Sequence, residues 1–269
     1  MMDRRTFLTR DIPAATIGLA AAWKSSFAAI PTGDKPMSTS YFEFFYIHMQ
    51  NGSQTPRMAK WLENRLLPIC QKHGFGPMGF FTVAVGPNLP STLIIFSYPS
   101  LAEMETLWGK LNSDPDYAAA VEEVEKDEPS FYRAESMLLR STPFCPPLIA
   151  TPAGEPPHKL YELRTYESPT NRQLGYLHDR FGNAGEIDIF HKSGIHPILY
   201  ADTVFGPNQP NMAYLIPFES EAHREKAWAA FGADPDWVKI RDESVRHGGD
   251  IVRNITNMFL SPTSFSMIR

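Results

Sequence analysis

Along the segment Leu160–Tyr166, Glu162, Arg164 and Tyr166 fall on every second residue. A strand sends alternate side chains to opposite faces, so these three share one face, expected to look into the space between two sheets, and Tyr161, Leu163 and Thr165 share the other, expected to meet the helices. An arginine set beside a carboxylate and a phenol suits recognition of a planar anion, such as an enol or a carboxylate, through paired N–H donors. The same spacing equally makes a plain Glu162–Arg164 ion pair that braces one layer against another. His178, His191 and His196 raise a second chemistry, because imidazole changes charge near neutral pH and serves as an acid, a base or a haem ligand; elsewhere it caps a helix or sits on the surface. As metal ligands the histidines fit poorly: His191 and His196 are five residues apart, whereas ligands on one helix face recur every three or four.

No HExxH or H-x-E…CxxC pattern occurs, which removes the common zinc hydrolases and deaminases. Gly74-Phe75-Gly76 lacks the third glycine of a dinucleotide fingerprint, and neither a P-loop nor a nucleophile elbow is present. The expected ligand-binding set is therefore Glu162, Arg164, Tyr166, His191 and His196. Arg164, Tyr166 and His191 are the candidates for catalysis, no metal site is expected and no cofactor is evident.

The elements that must position these residues come in two matching series. Gly74 and Pro77 recur as Gly194 and Pro197. Gly86-Pro87-Asn88-Leu89-Pro90 recurs as Gly206-Pro207-Asn208-Gln209-Pro210, and Trp108 and Asp114-Pro115-Asp116 recur as Trp228 and Asp234-Pro235-Asp236. One offset relates all of these pairs, so the chain is a duplication. In the first copy the pattern predicts a strand over Tyr41–His48, a helix over Arg57–His73 disturbed at Pro68, and strands over Phe80–Val85 and Leu93–Tyr98. Ser100 with Glu103 forms a capping box that opens a helix to about Leu111. Asp114-Pro115 caps a further helical turn, and Met137–Arg140 is the last strand. The second copy predicts strand Leu160–Tyr166, helix Gln173–Lys192, strands Ile198–Phe205 and Asn211–Pro217, helices Ser220–Phe231 and Pro235–Ser244, and strand Asn254–Leu260. Asp114 and Asp234 read as helix caps rather than a catalytic dyad, and Trp108 and Trp228 as core.

Each copy is thus βαββαβ, the ferredoxin-like order. The expected fold is α+β: two tandem ferredoxin-like units packed sheet to sheet as a pseudo-dimeric barrel, with the space between the sheets as the natural pocket. The expected organisation is a signal segment 1–30, a first unit 40–142, a proline-rich linker 143–157 and a second unit 158–269. Association of two chains through free sheet edges, giving a homodimer, is compatible with this arrangement.

A formal net charge of −5 on 269 residues argues against nucleic acid as a partner. A small-molecule ligand fits better. Arg4-Arg5 with Phe7 and Leu8, followed by a short apolar run to Trp23 and small residues at Ser26, Ala28 and Ala29, resembles a twin-arginine export signal, although Asp3 and Thr9 depart from the usual motif. The expectation is an exported, periplasmic or extracytoplasmic protein with no integral membrane segment after signal removal. Cys70 and Cys145 lie outside any CxxC pattern; in an exported protein they either pair or are buried thiols.

The strand Tyr161-Glu162-Leu163-Arg164-Thr165-Tyr166, the Gly206-Pro207-Asn208 turn, and the Trp228 helix running into Asp234-Pro235-Asp236-Trp237 together resemble the NIPSNAP family, within the dimeric α+β barrel superfamily. The resemblance spans nearly all of the chain beyond residue 40, twice over. It is stronger in the second copy, because Glu43-Phe44-Phe45-Tyr46 of the first lacks the strand arginine and Met104 stands where the second has Arg224. It implies the barrel fold. For function it implies either a non-catalytic binding protein or an oxygenase- or isomerase-type enzyme of the superfamily, since the fold hosts both.

Overall fold

The computed structural model describes residues 39–152, 154, 155, 157, 158 and 160–269. The expected signal, residues 1–30, lies outside the described residues. Two runs of aromatic and branched residues, Tyr41–His48 (β1) and Leu160–Glu167 (β5), are each an inner strand of a four-stranded sheet. The first sheet adds β2 (Gly79–Val85), β3 (Ser91–Tyr98) and β4 (Arg133–Ser141). The second adds β6 (Leu199–Phe205), β7 (Asn211–Phe218) and β8 (Asn254–Pro262). Their edges meet: β2 pairs with β8 and β4 pairs with β6, both antiparallel. The result is one closed barrel in the order β1-β3-β2-β8-β5-β7-β6-β4. This is the expected pseudo-dimeric barrel, and its closure uses up the free sheet edges that the sequence leaves open to a second chain. A closed barrel has no edge to offer.

The helices lie outside. In the first copy they are α1 (Gln54–Trp61), a π-helical turn (Leu62–Leu66), α2 (Leu67–Lys72), α3 (Leu101–Asn112) and α4 (Pro115–Glu125). In the second they are α5 (Asn171–Gly182), α6 (Glu186–Lys192), α7 (Glu221–Ala233) and α8 (Pro235–Gly248). The π turn explains how Pro68 sits in a helical stretch: the Leu67 N–H reaches back to Leu62 O, and Pro68 then falls in the first turn of α2, where a missing N–H costs little.

The capping signals work as expected. Ser100 Oγ accepts from Glu103 N at 3.1 Å, and Ser220 Oγ accepts from His223 N at 3.1 Å. Asp114 and Asp234 each accept from the backbone N–H two residues on, at 2.8 Å. Their second oxygens receive Lys72 at 2.9 Å and Lys192 at 2.8 Å, a repeated lysine that locks each helix pair.

Three expectations about elements change. The single helix over Gln173–Lys192 is two helices, because Gly185 at φ +93° turns the chain in a conformation that favours glycine. The helical turn after α3 is a full helix, α4, and the helix expected over Pro235–Ser244 runs on to Gly248 as α8. The last strand of the first copy starts at Arg133 rather than Met137, since it must run the whole length of β1.

The barrel interior is filled for most of its depth. Phe42, Phe44, Phe81, Leu93, Tyr161 and Leu215 are buried there in one apolar cluster, and Phe81 meets Tyr161 edge to face at 5.0 Å. Burying each such side chain stabilises the fold by roughly 1.5–3 kcal/mol. Cys70 and Cys145 are both free and buried. Burial pushes their thiols up to about 12 and about 11, which leaves them unreactive near neutral pH.

Candidate functional site at the barrel mouth

The two repeated turns, Gly86–Pro90 and Gly206–Pro210, lie at the same end of the barrel, because each joins a second strand to a third. There the packing stops short. A cavity of about 170 Å³ is lined by Tyr46, His48, Val83, Pro87, Asn88, Glu135, Ser136, Met137, Pro207 and Met258. A second of about 90 Å³ shares Tyr46, Met137, Pro207 and Met258 with it, and adds Leu163, Thr165, Asn208, Asn211 and Thr256. A cavity on the order of 150 Å³ holds a benzene-sized molecule. Both copies contribute to the walls.

The first copy supplies most of the chemistry. His48 closes β1 and is only 3 % exposed. Its Nδ1 lies 2.7 Å from Ser91 Oγ, and the Ser91 hydroxyl donates to Asn88 O. Asn88 stands at φ +59° in the turn, which aims that carbonyl. His48 Nε2 is buried without a hydrogen-bond partner and lies 3.6 Å from Glu135 Oε1. Glu135 is half exposed and is held at 2.9 Å by Arg133 Nε. Tyr46, directly across from Glu135 in the β1–β4 register, lies alongside His48 with the two rings nearly parallel and 6.2 Å apart. Burial, reinforced by the Glu135 carboxylate, pushes the Tyr46 phenol well above its ordinary range, so it remains a protonated donor.

The residues singled out from sequence lie elsewhere. Glu162, Arg164 and Tyr166 do share a face, but it is the face under the helices and not the barrel interior. Glu162 is fully buried and accepts from Arg224 Nε at 2.8 Å, from Arg224 Nη2 at 3.0 Å, from Trp228 Nε1 at 2.9 Å and from Arg164 Nη1 at 2.8 Å. Arg164 also donates to Tyr166 OH at 3.2 Å and stacks over the Trp228 ring at 4.4 Å. Burial alone would raise the Glu162 carboxyl, but Arg224, Arg164 and Trp228 outweigh it and hold the carboxyl below its ordinary range. The interior face instead carries Leu163 and Thr165, which line the mouth. The ion pair is real, but it ties α7 to the sheet rather than one sheet to the other.

His191 and His196 are exposed, with their rings stacked 5.1 Å apart. They precede β6, whereas the mouth lies beyond the other end of that strand, so they do not line the cavity. His178 is tied to Asp202 at 2.8 Å. Among the described residues no group of three or more His, Cys, Asp or Glu could hold a metal ion. Nor is any described helix long and apolar enough to cross a membrane. Sequence reasoning missed Tyr46, His48, Ser91 and Glu135. The available signal was the twice-repeated Gly-Pro-Asn turn, which marks one end of the barrel, read together with the polar residues of the strands that end there.

Two solved structures that carry the name putative monooxygenase share the fold over most of the chain. The one from Lactobacillus acidophilus NCFM is 10% identical, covers 83% of this chain and 94% of its own, and has a TM-score of 0.53. The one from Fusobacterium nucleatum is 5% identical, covers 84% and 93%, and has a TM-score of 0.55. An uncharacterized NIPSNAP domain protein from Burkholderia xenovorans is 19% identical and matches 39% of this chain and 96% of its own, with a TM-score of 0.34. No curated protein matches the chain. The pattern that defines the NIPSNAP family matches residues 49–146 and again residues 161–267; with two copies spanning most of its length, the chain belongs to the NIPSNAP family.

Proposed function

We propose that this protein binds a compact small molecule at the mouth of its barrel. The observation that carries the reading is the cavity of about 170 Å³ into whose wall His48 is built, 3 % exposed and with a buried Nε2 that has no partner. Buried polar atoms are almost always paired, so an orphan beside a cavity marks a place for an external group. Val83, Met137, Met258 and the two turn prolines make the remaining wall apolar.

The test is methyl NMR on protein labelled at methionine, with toluene and phenol as probes. Binding shifts the Met137 and Met258 signals, and Val83→Trp, which fills the cavity, abolishes the shifts. Saturating probe that leaves both methyls unmoved overturns the reading. The second reading is an isomerase- or oxygenase-type enzyme working in the same mouth. It is favoured by the same histidine, because an imidazole nitrogen with no partner in a cavity wall can serve as a base.

The cluster around Glu162, Arg164 and Tyr166 is, on this proposal, a brace rather than a ligand site, and His191 and His196 are surface residues. Export remains a proposal from Arg4-Arg5 and the apolar run behind them. Replacing both arginines by lysine is expected to keep the precursor inside the cell; unchanged accumulation outside the cytoplasm overturns it.

A further inference from the structure

We infer that the mouth takes a compact, neutral molecule carrying a weakly acidic hydroxyl, a phenol or an enol, and that His48 Nε2 accepts its proton; the inference rests on the binding reading above. The argument is a count of protons. Ser91 has one hydroxyl hydrogen, and it is committed to Asn88 O. The 2.7 Å contact between Ser91 Oγ and His48 Nδ1 therefore needs its hydrogen from Nδ1. In the neutral ring that leaves the lone pair on Nε2. Nε2 faces Glu135 Oε1 at 3.6 Å, too far for a bond and with an acceptor on both sides. One donated hydrogen from a ligand satisfies Nε2, once the wall yields enough for the ligand oxygen to meet this buried atom.

The second copy shows that the arrangement is not merely what the turn requires. At the position of Ser91 it has Asn211, whose Nδ2 donates to Asn208 O at 2.8 Å and so holds the same turn carbonyl. The other end of that amide accepts from Thr203 Oγ1 at 2.7 Å, not from a histidine. The turn is thus held in both copies, and only in the first does its holder also orient an imidazole.

The walls narrow the class. Among the described residues no lysine or arginine lines the cavity, and the nearby Arg133 is already paired with Glu135, so the wall offers an anionic ligand no cation of its own. Met137, Met258 and Val83 favour a flat apolar body. When the hydroxyl transfers its proton, the O–H bond breaks, its electron pair remains on the ligand oxygen, and the new N–H bond forms at Nε2. The resulting imidazolium lies beside the Glu135 carboxylate. No oxidant or reductant is needed.

The experiment compares toluene with phenol and with fluorinated phenols of graded acidity, matched in shape. Binding is read from the Met137 and Met258 methyls, and protonation from the ¹⁵N shift of His48 Nε2. Phenol is expected to bind about tenfold tighter than toluene, the difference between leaving Nε2 unpaired and pairing it. Affinity should rise with acidity, and the Nε2 shift should move toward the protonated value. His48→Asn keeps a donor for Ser91 and removes Nε2; in that variant toluene still binds and the advantage of phenol disappears. Equal binding of toluene and phenol, or preferred binding of cyclohexylammonium, overturns the inference while leaving the cavity reading intact. Failure of every probe overturns the cavity reading itself.

Discussion

The two copies of the unit have divided the polar residues between opposite faces of their sheets. Under its helices the second copy carries a charged network in which Glu162 receives Arg164, Arg224 and Trp228. At the matching strand position the first copy has Glu43, met by the hydroxyls of Tyr98 at 3.1 Å and Ser136 at 2.7 Å, with Phe45 and Met104 where the second copy has the two arginines. At the barrel mouth the asymmetry reverses. The first copy offers Tyr46, His48 and Glu135, and the matching strand registers put Thr165, Glu167 and Thr256 at the equivalent positions of the second copy. A duplicated barrel needs a sound frame in both halves but a site in only one, so each copy was free to specialise.

The largest effect should come from breaking the charged network. Glu162→Leu leaves two guanidinium groups under α7 with no carboxylate, and should cost about 3–5 kcal/mol in urea unfolding. The same substitution at Glu43 measures the cost at the matching position of the first copy. Making the second copy resemble the first, with Glu162→Gln, Arg164→Phe and Arg224→Met together, should recover most of the loss. A buried ion cluster replaced as a whole by packed groups is often neutral. A triple variant no more stable than Glu162→Leu would show that the network does more than brace the helix.

The same network predicts a pH dependence. The Glu162 carboxyl is held below its ordinary range in the folded state, so its contribution is present above the unfolded value of about 4.3 and is lost as pH falls through the lower folded value. Urea titrations below about pH 4.3 should therefore fall more steeply for the native chain than for the triple variant. Parallel curves would remove Glu162 as the cause.

The smallest effect sharpens the comparison at the turns. Ser91→Ala and Asn211→Ala each free a turn carbonyl and should each cost about 1 kcal/mol. Only Ser91→Ala should change the His48 tautomer, read from its ¹⁵N shifts. If both or neither does so, the turn does not orient the imidazole.

Much of the frame was legible from residue types. Ser100, Ser220, Asp114 and Asp234 cap the helices they were expected to cap, because capping is settled by a residue and its next few neighbours. The repeat located both Gly-Pro-Asn turns, and the family resemblance pointed to the barrel. The break at Gly185 was not legible, since glycine inside an amphipathic pattern is ambiguous until the neighbouring layers are known. Nor was the site, because His48, Ser91 and Glu135 come from three strands and meet only in the closed sheet.

By itself, then, the sequence determined the duplication, the order of elements, their caps and their turns, all of which depend on contacts between near neighbours in the chain. The tertiary structure decided which face of each strand looks inward. Alternation along Leu160–Glu167 defines two faces, but helices cover one and the opposite sheet covers the other, so neither is wet and polarity does not tell them apart. Arg164 lies under the helices and Thr165 at the mouth because Arg224 and Trp228 of α7 arrive over one face of β5 while the closed barrel shuts over the other.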